Sequence, residues 1–209
     1  MTDFNDSGFL FSYIRFMNLS PQGEIIDFYV GNTLIGAGIK FGSCSPYIET
    51  ASSPQVYKAT RCQRKDDVID KITLCQDVGK VHSLCVCGMA DEANFLTIEE
   101  PIQKPIEGYG NLRICNFSPG STPFDIWAND EKILGDINYK EQSRYMNIKP
   151  GIYNFGLSEN GTESIKLIEH EIKPGKSYSL YIIGTKNEMP HLSGLFTLDA
   201  ASYNGFYLL

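Results

Sequence analysis

The amino-acid sequence predicts an all-β protein built from two tandem antiparallel sandwich modules, each of about 100 residues. Three observations lead there. The sequence repeats itself at an offset of 98 positions, both halves carry short β-branched and aromatic runs separated by turn residues, and no stretch shows a convincing helical period.

The repeat is the strongest of the three. Arg15-Phe16-Met17-Asn18-Leu19-Ser20-Pro21 falls on Arg113-Ile114-Cys115-Asn116-Phe117-Ser118-Pro119, and the same shift carries Asp27-Phe28-Tyr29-Val30 onto Asp125-Ile126-Trp127-Ala128. Further on, at an offset of 96, Gly79-Lys80-Val81-His82-Ser83-Leu84-Cys85-Val86-Cys87-Gly88 matches Gly175-Lys176-Ser177-Tyr178-Ser179-Leu180-Tyr181-Ile182-Ile183-Gly184. In that register Pro54 and Tyr57 fall on Pro150 and Tyr153. The break lies in Glu99-Glu100-Pro101-Ile102-Gln103-Lys104-Pro105-Ile106-Glu107-Gly108, where prolines and charges stop any strand. Modules of 1–103 and 108–209 follow, joined by a linker short enough that they should touch.

Within each module the elements are read from turn chemistry. Gly31-Asn32, between apolar runs, supplies the positive φ that a tight hairpin needs, and Asn129-Asp130 repeats it. Lys149-Pro150-Gly151 and Lys173-Pro174-Gly175 each precede a strand-like run. From Ser177 to Gly184 both alternating faces are apolar, as for a central strand covered on both sides. Asn18-Leu19-Ser20, Asn116-Phe117-Ser118 and Asn160-Gly161-Thr162 fit the glycosylation acceptor pattern but are read as turns. The final Tyr203–Leu209 reads as a last strand or a self-association contact.

Composition narrows the function. A content of 42% hydrophobic and 21% charged residues suits a folded chain. A formal charge of -7 argues against nucleic acid, whose affinity comes from lysines and arginines that release counterions. No run reaches the roughly 18 apolar residues of a membrane-spanning helix. The acidic start Met1-Thr2-Asp3-Phe4-Asn5-Asp6 lacks the basic region of a secretory signal, so synthesis in the cytoplasm is the expectation.

Arg15, Asn18 and Asp27 recur as Arg113, Asn116 and Asp125 and form the repeat signature. The favoured reading is structural: the carboxylate accepts hydrogen bonds from the Asn-x-Ser-Pro turn and from the arginine, with a ligand-binding polar pair as the alternative. Tyr29 and Trp127 stand two residues beyond each Asp. Each ring either covers a sandwich edge or the module interface, or stacks on a sugar. Cys85 and Cys87 share one strand face and, with Cys62 or Cys75, offer metal ligands, cross-linking or regulated oxidation. Small buried thiols are the preferred reading, so no metal or other cofactor is expected. Of His82, His170 and His191, the repeat aligns His82 with Tyr178, and no base recurs as a duplicated active site would require; the protein is read as non-enzymatic.

The repeated Arg-x-x-Asn-x-Ser-Pro segment, the Asp-aromatic strand, the Pro-Gly-x-Tyr turn and the Gly-Lys-Ser-Tyr-Ser-Leu strand resemble a bacterial family of uncharacterised domains, often in tandem. The resemblance implies immunoglobulin-like or transthyretin-like sandwiches, frequently in cell-surface proteins. It implies no catalytic residues. The functional expectation is a structural or adhesive protein with protein partners or self-association, for example in a surface layer or a bacterial spore coat, which needs no secretory signal. The alternative is a carbohydrate- or small-ligand-binding module using Tyr29 or Trp127.

Overall fold

The computed structural model describes residues 11–22, 24–159, 161–162 and 164–203. The expectations placed on Met1–Asp6, on Asn160 and on the segment after Tyr203 lie outside those residues.

The first half holds β1 (Phe11–Asn18), β2 (Ile26–Val30), β3 (Thr33–Ile39), β4 (Ser43–Cys44), β5 (Ile48–Ala51), β6 (Gln55–Arg61), β7 (Val68–Leu74), β8 (Val81–Cys87) and β9 (Asn94–Glu99). The second holds β10 (Gly110–Asn116), β11 (Phe124–Ala128), β12 (Glu131–Ile137), β13 (Met146–Ile148), β14 (Gly151–Glu159), β15 (Ile165–Ile172), β16 (Ser177–Ile183) and β17 (Ser193–Leu198). Two short 3-10 turns, Ala90–Glu92 and Ala200–Ser202, are the helical elements among the described residues.

Each module is a sandwich of two sheets with one shared topology. In the first, β4 and β5 flank β1, which pairs with β8 and then β9, while the other sheet runs β3-β2-β6-β7. In the second the orders are β13-β10-β16-β17 and β12-β11-β14-β15. The first and second strands of each module thus lie in opposite sheets, and the first runs parallel to the penultimate one, Arg15 opposite Ser83 and Arg113 opposite Ser179. The two tandem β-sandwiches expected from the sequence are therefore present.

The repeat holds at the level of single residues. Asp27 faces Thr60 and Asp125 faces Ser158, both pairs at the 98-residue offset. The hairpins β2–β3 and β11–β12 carry matching irregularities, and their turns open on Gly31 (φ 56°) and Asn129 (φ 55°). One alignment needs correcting: Val30 faces Tyr57 and its equivalent Ala128 faces Phe155, so Tyr57 matches Phe155 rather than Tyr153. The Pro-Gly turn before β14 had suggested the wrong offset.

The four sheets stack, giving three apolar layers. Ile14, Phe16, Phe28, Tyr57, Leu84 and Val86 fill the first sandwich, and Ile114, Phe124, Phe155, Leu157, Leu180 and Ile182 fill the second. Met17, Leu19, Cys85, Cys87, Ile98, Cys115, Phe117, Tyr181 and Ile183 form a third core between the modules. Strand periodicity explains how β8 and β16 serve two layers: alternate side chains point to opposite faces, so Leu84 and Val86 enter one core while Cys85 and Cys87 enter another. The apolar run of β16 is the doubly covered strand that its sequence predicts.

Candidate functional site

The repeated polar residues separate to opposite faces. Asn18 and Asn116 close their turns as read from the sequence. Each side-chain oxygen accepts from the amide two residues on, Ser20 at 3.2 Å and Ser118 at 3.0 Å, and each amide nitrogen donates across the module end, to the carbonyls of Ile39 and Ile137.

Asp27 and Asp125 lie in the outer sheets and do not meet the arginines. Asp27 accepts from the amides of Gly38 (2.7 Å) and Gln63 (2.8 Å); Asp125 accepts from the amide of Asp136 (3.2 Å) and pairs with Lys132. Gly38 and Asp136 have φ of 64° and 55°, so the repeated carboxylate satisfies an amide that the irregular hairpin turns away from its ladder. The expected Arg–Asp tie is thereby corrected: adjacent strands in sequence belong to different sheets, and the arginines point to the module interface.

There Arg15 and Arg113 organise one buried network. The Nε of Arg15 donates to Ser83 Oγ at 2.6 Å, and its Nη2 lies 2.9 Å from both Glu100 Oε1 and Asp199 Oδ1. Arg113 repeats the pattern, with Nε 3.0 Å from Ser179 Oγ and Nη2 3.3 Å from Asp199 Oδ2. Ser83 donates to Glu100 and Ser179 to Asp199, while the hydroxyls of Tyr47 and Tyr145 cap the same carboxylates. Each guanidinium also lies over its tyrosine ring, at 4.9 and 5.3 Å.

The network is reciprocal between modules. Arg15 donates to the carbonyl of Leu198, Arg113 to that of Glu99, and the amide of Ala200 to Glu100. Both carboxylates have no exposed side-chain surface, so two cations and two anions balance out of water. Burial works against each guanidinium's charge and is the largest single influence, but the surrounding acidic groups together, Glu100 foremost for Arg15 and Asp199 for Arg113, outweigh it and raise both above the usual arginine value. Burial together with Glu100 and Asp199 likewise pushes the Tyr47 and Tyr145 phenols upward.

Each serine here accepts from an arginine and donates to a carboxylate, with no imidazole at its oxygen. That arrangement holds modules together and does not activate a nucleophile. Ser83/Ser179, Tyr47/Tyr145 and Glu100/Asp199 escaped the sequence reading. The serine pair stood in the aligned strand, and the acids recur at an offset of 99.

Two stretches, residues 12–122 and 110–202, match the family model described as Domain of unknown function (DUF4397). The chain is a tandem of DUF4397 domains. A search of curated proteins gave no match. Among solved structures, the carbohydrate-binding module CBMbc (family CBM26) from Eubacterium rectale Amy13K, in complex with maltoheptaose, aligns over 90% of this chain and 96% of that one. Identity is 11% and the TM-score 0.29, too low to transfer fold or ligand.

The cysteines of the tandem fall into two sets. Cys44 and Cys75 are exposed and Cys62 is half-buried, whereas Cys85, Cys87 and Cys115 are sealed between the DUF4397 modules, all six as free thiols. Burial pushes the Cys87 thiol to about 11 and that of Cys115 to about 12. Among the described residues no three His, Cys, Asp or Glu side chains are grouped to hold a metal, and the structure does not bring Cys62 or Cys75 to the Cys85–Cys87 face.

Tyr29 and Trp127 lie on the outer sheets, away from the module interface. Tyr29 is only 7% exposed, its ring covered by the ammonium of Lys58 at 4.7 Å. Trp127 is half-buried, and Gly156 occupies the position equivalent to Lys58. A recess of about 140 Å³ opens there, lined by Trp127, Asn129, Asn154, Gly156, Ser164 and Lys166.

Proposed function

We propose that this tandem is a non-enzymatic binding protein of the structural or adhesive kind, taking carbohydrate on the outer sheet of its second module, with Trp127 as the stacking platform. The observation that carries the reading is the contrast between the two modules: a lysine covers Tyr29, whereas the strand position facing Trp127 in its place is Gly156, beside an open recess. The indole N–H is already spent on Ser158 Oγ at 2.9 Å, which fixes the ring and leaves its face rather than its edge for a ligand. A pyranose presents polarised C–H groups to such a face, and the amides of Asn129 and Asn154 offer donors and acceptors to its hydroxyls. A surface or spore-coat setting would suit a protein of this kind. Tyr29, under its lysine, has no part in the site.

Trp127 is the chain's single tryptophan, so its fluorescence reports the recess directly. Titrating the protein with a panel of soluble glycans is expected to shift that emission for at least one, and Trp127→Ala to lower the affinity for it at least tenfold, while Tyr29→Phe leaves it unchanged. No glycan shifting the emission, or equal binding by Trp127→Ala, would overturn the proposal.

A further inference from the structure

A second concavity lies where the modules meet. It encloses about 1320 Å³ between β1 and the β4–β5 edge on one side and β15 and β17 on the other. On the second-module wall, Phe196 and His170 stack with ring centres 4.0 Å apart and planes 5° from parallel, and Tyr178 abuts both edge-on. Phe196 and His170 are half-buried.

Tyr178 belongs to the second sandwich core and Phe196 packs against it, 5.0 Å from Phe155, so the aromatic cluster reaches the groove from the open edge of that core. Leu180 faces Phe196 where its equivalent Leu84 faces Thr97, so Phe196 corresponds to Thr97. By the same reasoning His170 corresponds to Leu74 and Tyr178 to His82. The first module thus closes the same fold with an aliphatic and a hydroxyl residue where the second displays a flat aromatic pair.

The rim is charged but balanced: Glu169 and Glu171 flank His170, Lys173 stands 3.4 Å from Glu171, and Lys176 donates to the Ser202 carbonyl. No excess of cations is present to select phosphate or a polyanion. The volume exceeds the roughly 300–1,000 Å³ that suits a compact small molecule, which favours an extended ligand.

We propose that this groove is a second carbohydrate site, taking a neutral oligosaccharide of several units, with the Phe196–His170 pair as the stacking surface and Glu169 and Glu171 as hydroxyl acceptors. Its lining residues differ from those of the Trp127 recess, although the two adjoin across β15, where Glu169 faces Asn154 and pairs with Lys166 at 3.8 Å. With both sites occupied the chain bridges two glycan strands, which links the binding reading to an adhesive role through avidity.

The test uses the full chain and a ladder of neutral oligosaccharides of one to eight units, followed by calorimetry. His170→Leu and Phe196→Thr import the residues that the first module carries at the same positions; Phe196→Thr also removes a contact with Phe155 and lowers stability, so the single His170→Leu variant is measured beside the double one. Wild type is expected to bind more tightly as the oligomer lengthens; His170→Leu alone, and the double variant at a temperature where its amide protection shows both sandwiches folded, should lose at least tenfold in affinity for the longer members, and Trp127→Ala should leave this binding intact. Unchanged binding by the double variant, no length dependence, or heat of binding with extended peptides and none with the oligosaccharides would each overturn the proposal. Loss of the Trp127 signal alone would count only against the outer recess.

Discussion

Replacing Asp199 with alanine is expected to cost about 3–5 kcal/mol, the range for removing one partner of a buried ion pair. Asp199 is fully buried and accepts from Arg15, Arg113, Ser179 and Tyr145 together. Arg15 would keep Glu100, but Arg113 would be left buried without a carboxylate. Against a typical total of about 5–15 kcal/mol such a loss is large. The control is Asp125→Ala, which removes one amide partner and an exposed lysine pair and should cost about 1 kcal/mol. Urea unfolding followed through Trp127, together with thiol labelling, separates the two. In Asp199→Ala the sealed cysteines should react at lower urea than the concentration at which Trp127 changes. A loss below that of Asp125→Ala would mean the network does not hold the modules together.

Tyr181→Ala should cost about as much, roughly 3–5 kcal/mol for a large aromatic removed from a packed interior. Its ring is fully buried, stacks on Phe117 at 5.9 Å, and belongs to the intermodule core, not to either sandwich core. The loss should therefore appear as undocking. Cys85, Cys87 and Cys115 should become reactive together while both sandwiches keep their amide protection. Phe155→Ala, of comparable cost, empties the second sandwich instead and should change the Trp127 signal first. If Tyr181→Ala melted both sandwiches with the interface, the three apolar layers would be one cooperative unit.

The duplication, the strand runs and the double coverage of β16 were legible because they are local: turn residues and alternating faces appear in neighbouring positions, and the repeat confirms them twice. The roles of Arg15 and Arg113 were not. Their acids lie across the interface or at the far end of another strand, and proximity in sequence pointed instead to Asp27 and Asp125. Glu100 was misleading for the same reason. In Glu99-Glu100-Pro101 it reads as a solvated linker charge, yet its side chain is buried because an arginine 85 positions earlier neutralises it. The distinction between Tyr29 and Trp127 was also hidden, since it depends on Lys58 and Gly156 from the neighbouring strand. At the groove, the aromatic pair was visible as residues but not as a pair, because His170 and Phe196 meet only when β15 packs against β17.

Thiol labelling of the native wild-type protein, resolved by mass spectrometry, tests most directly whether two duplicated modules dock through this sealed face. Cys44 and Cys75 should be modified rapidly, while Cys85, Cys87 and Cys115 stay protected and become labelled with one shared, slow rate set by undocking. Six cysteines reacting at comparable rates, or three sealed ones with unrelated rates, would contradict it.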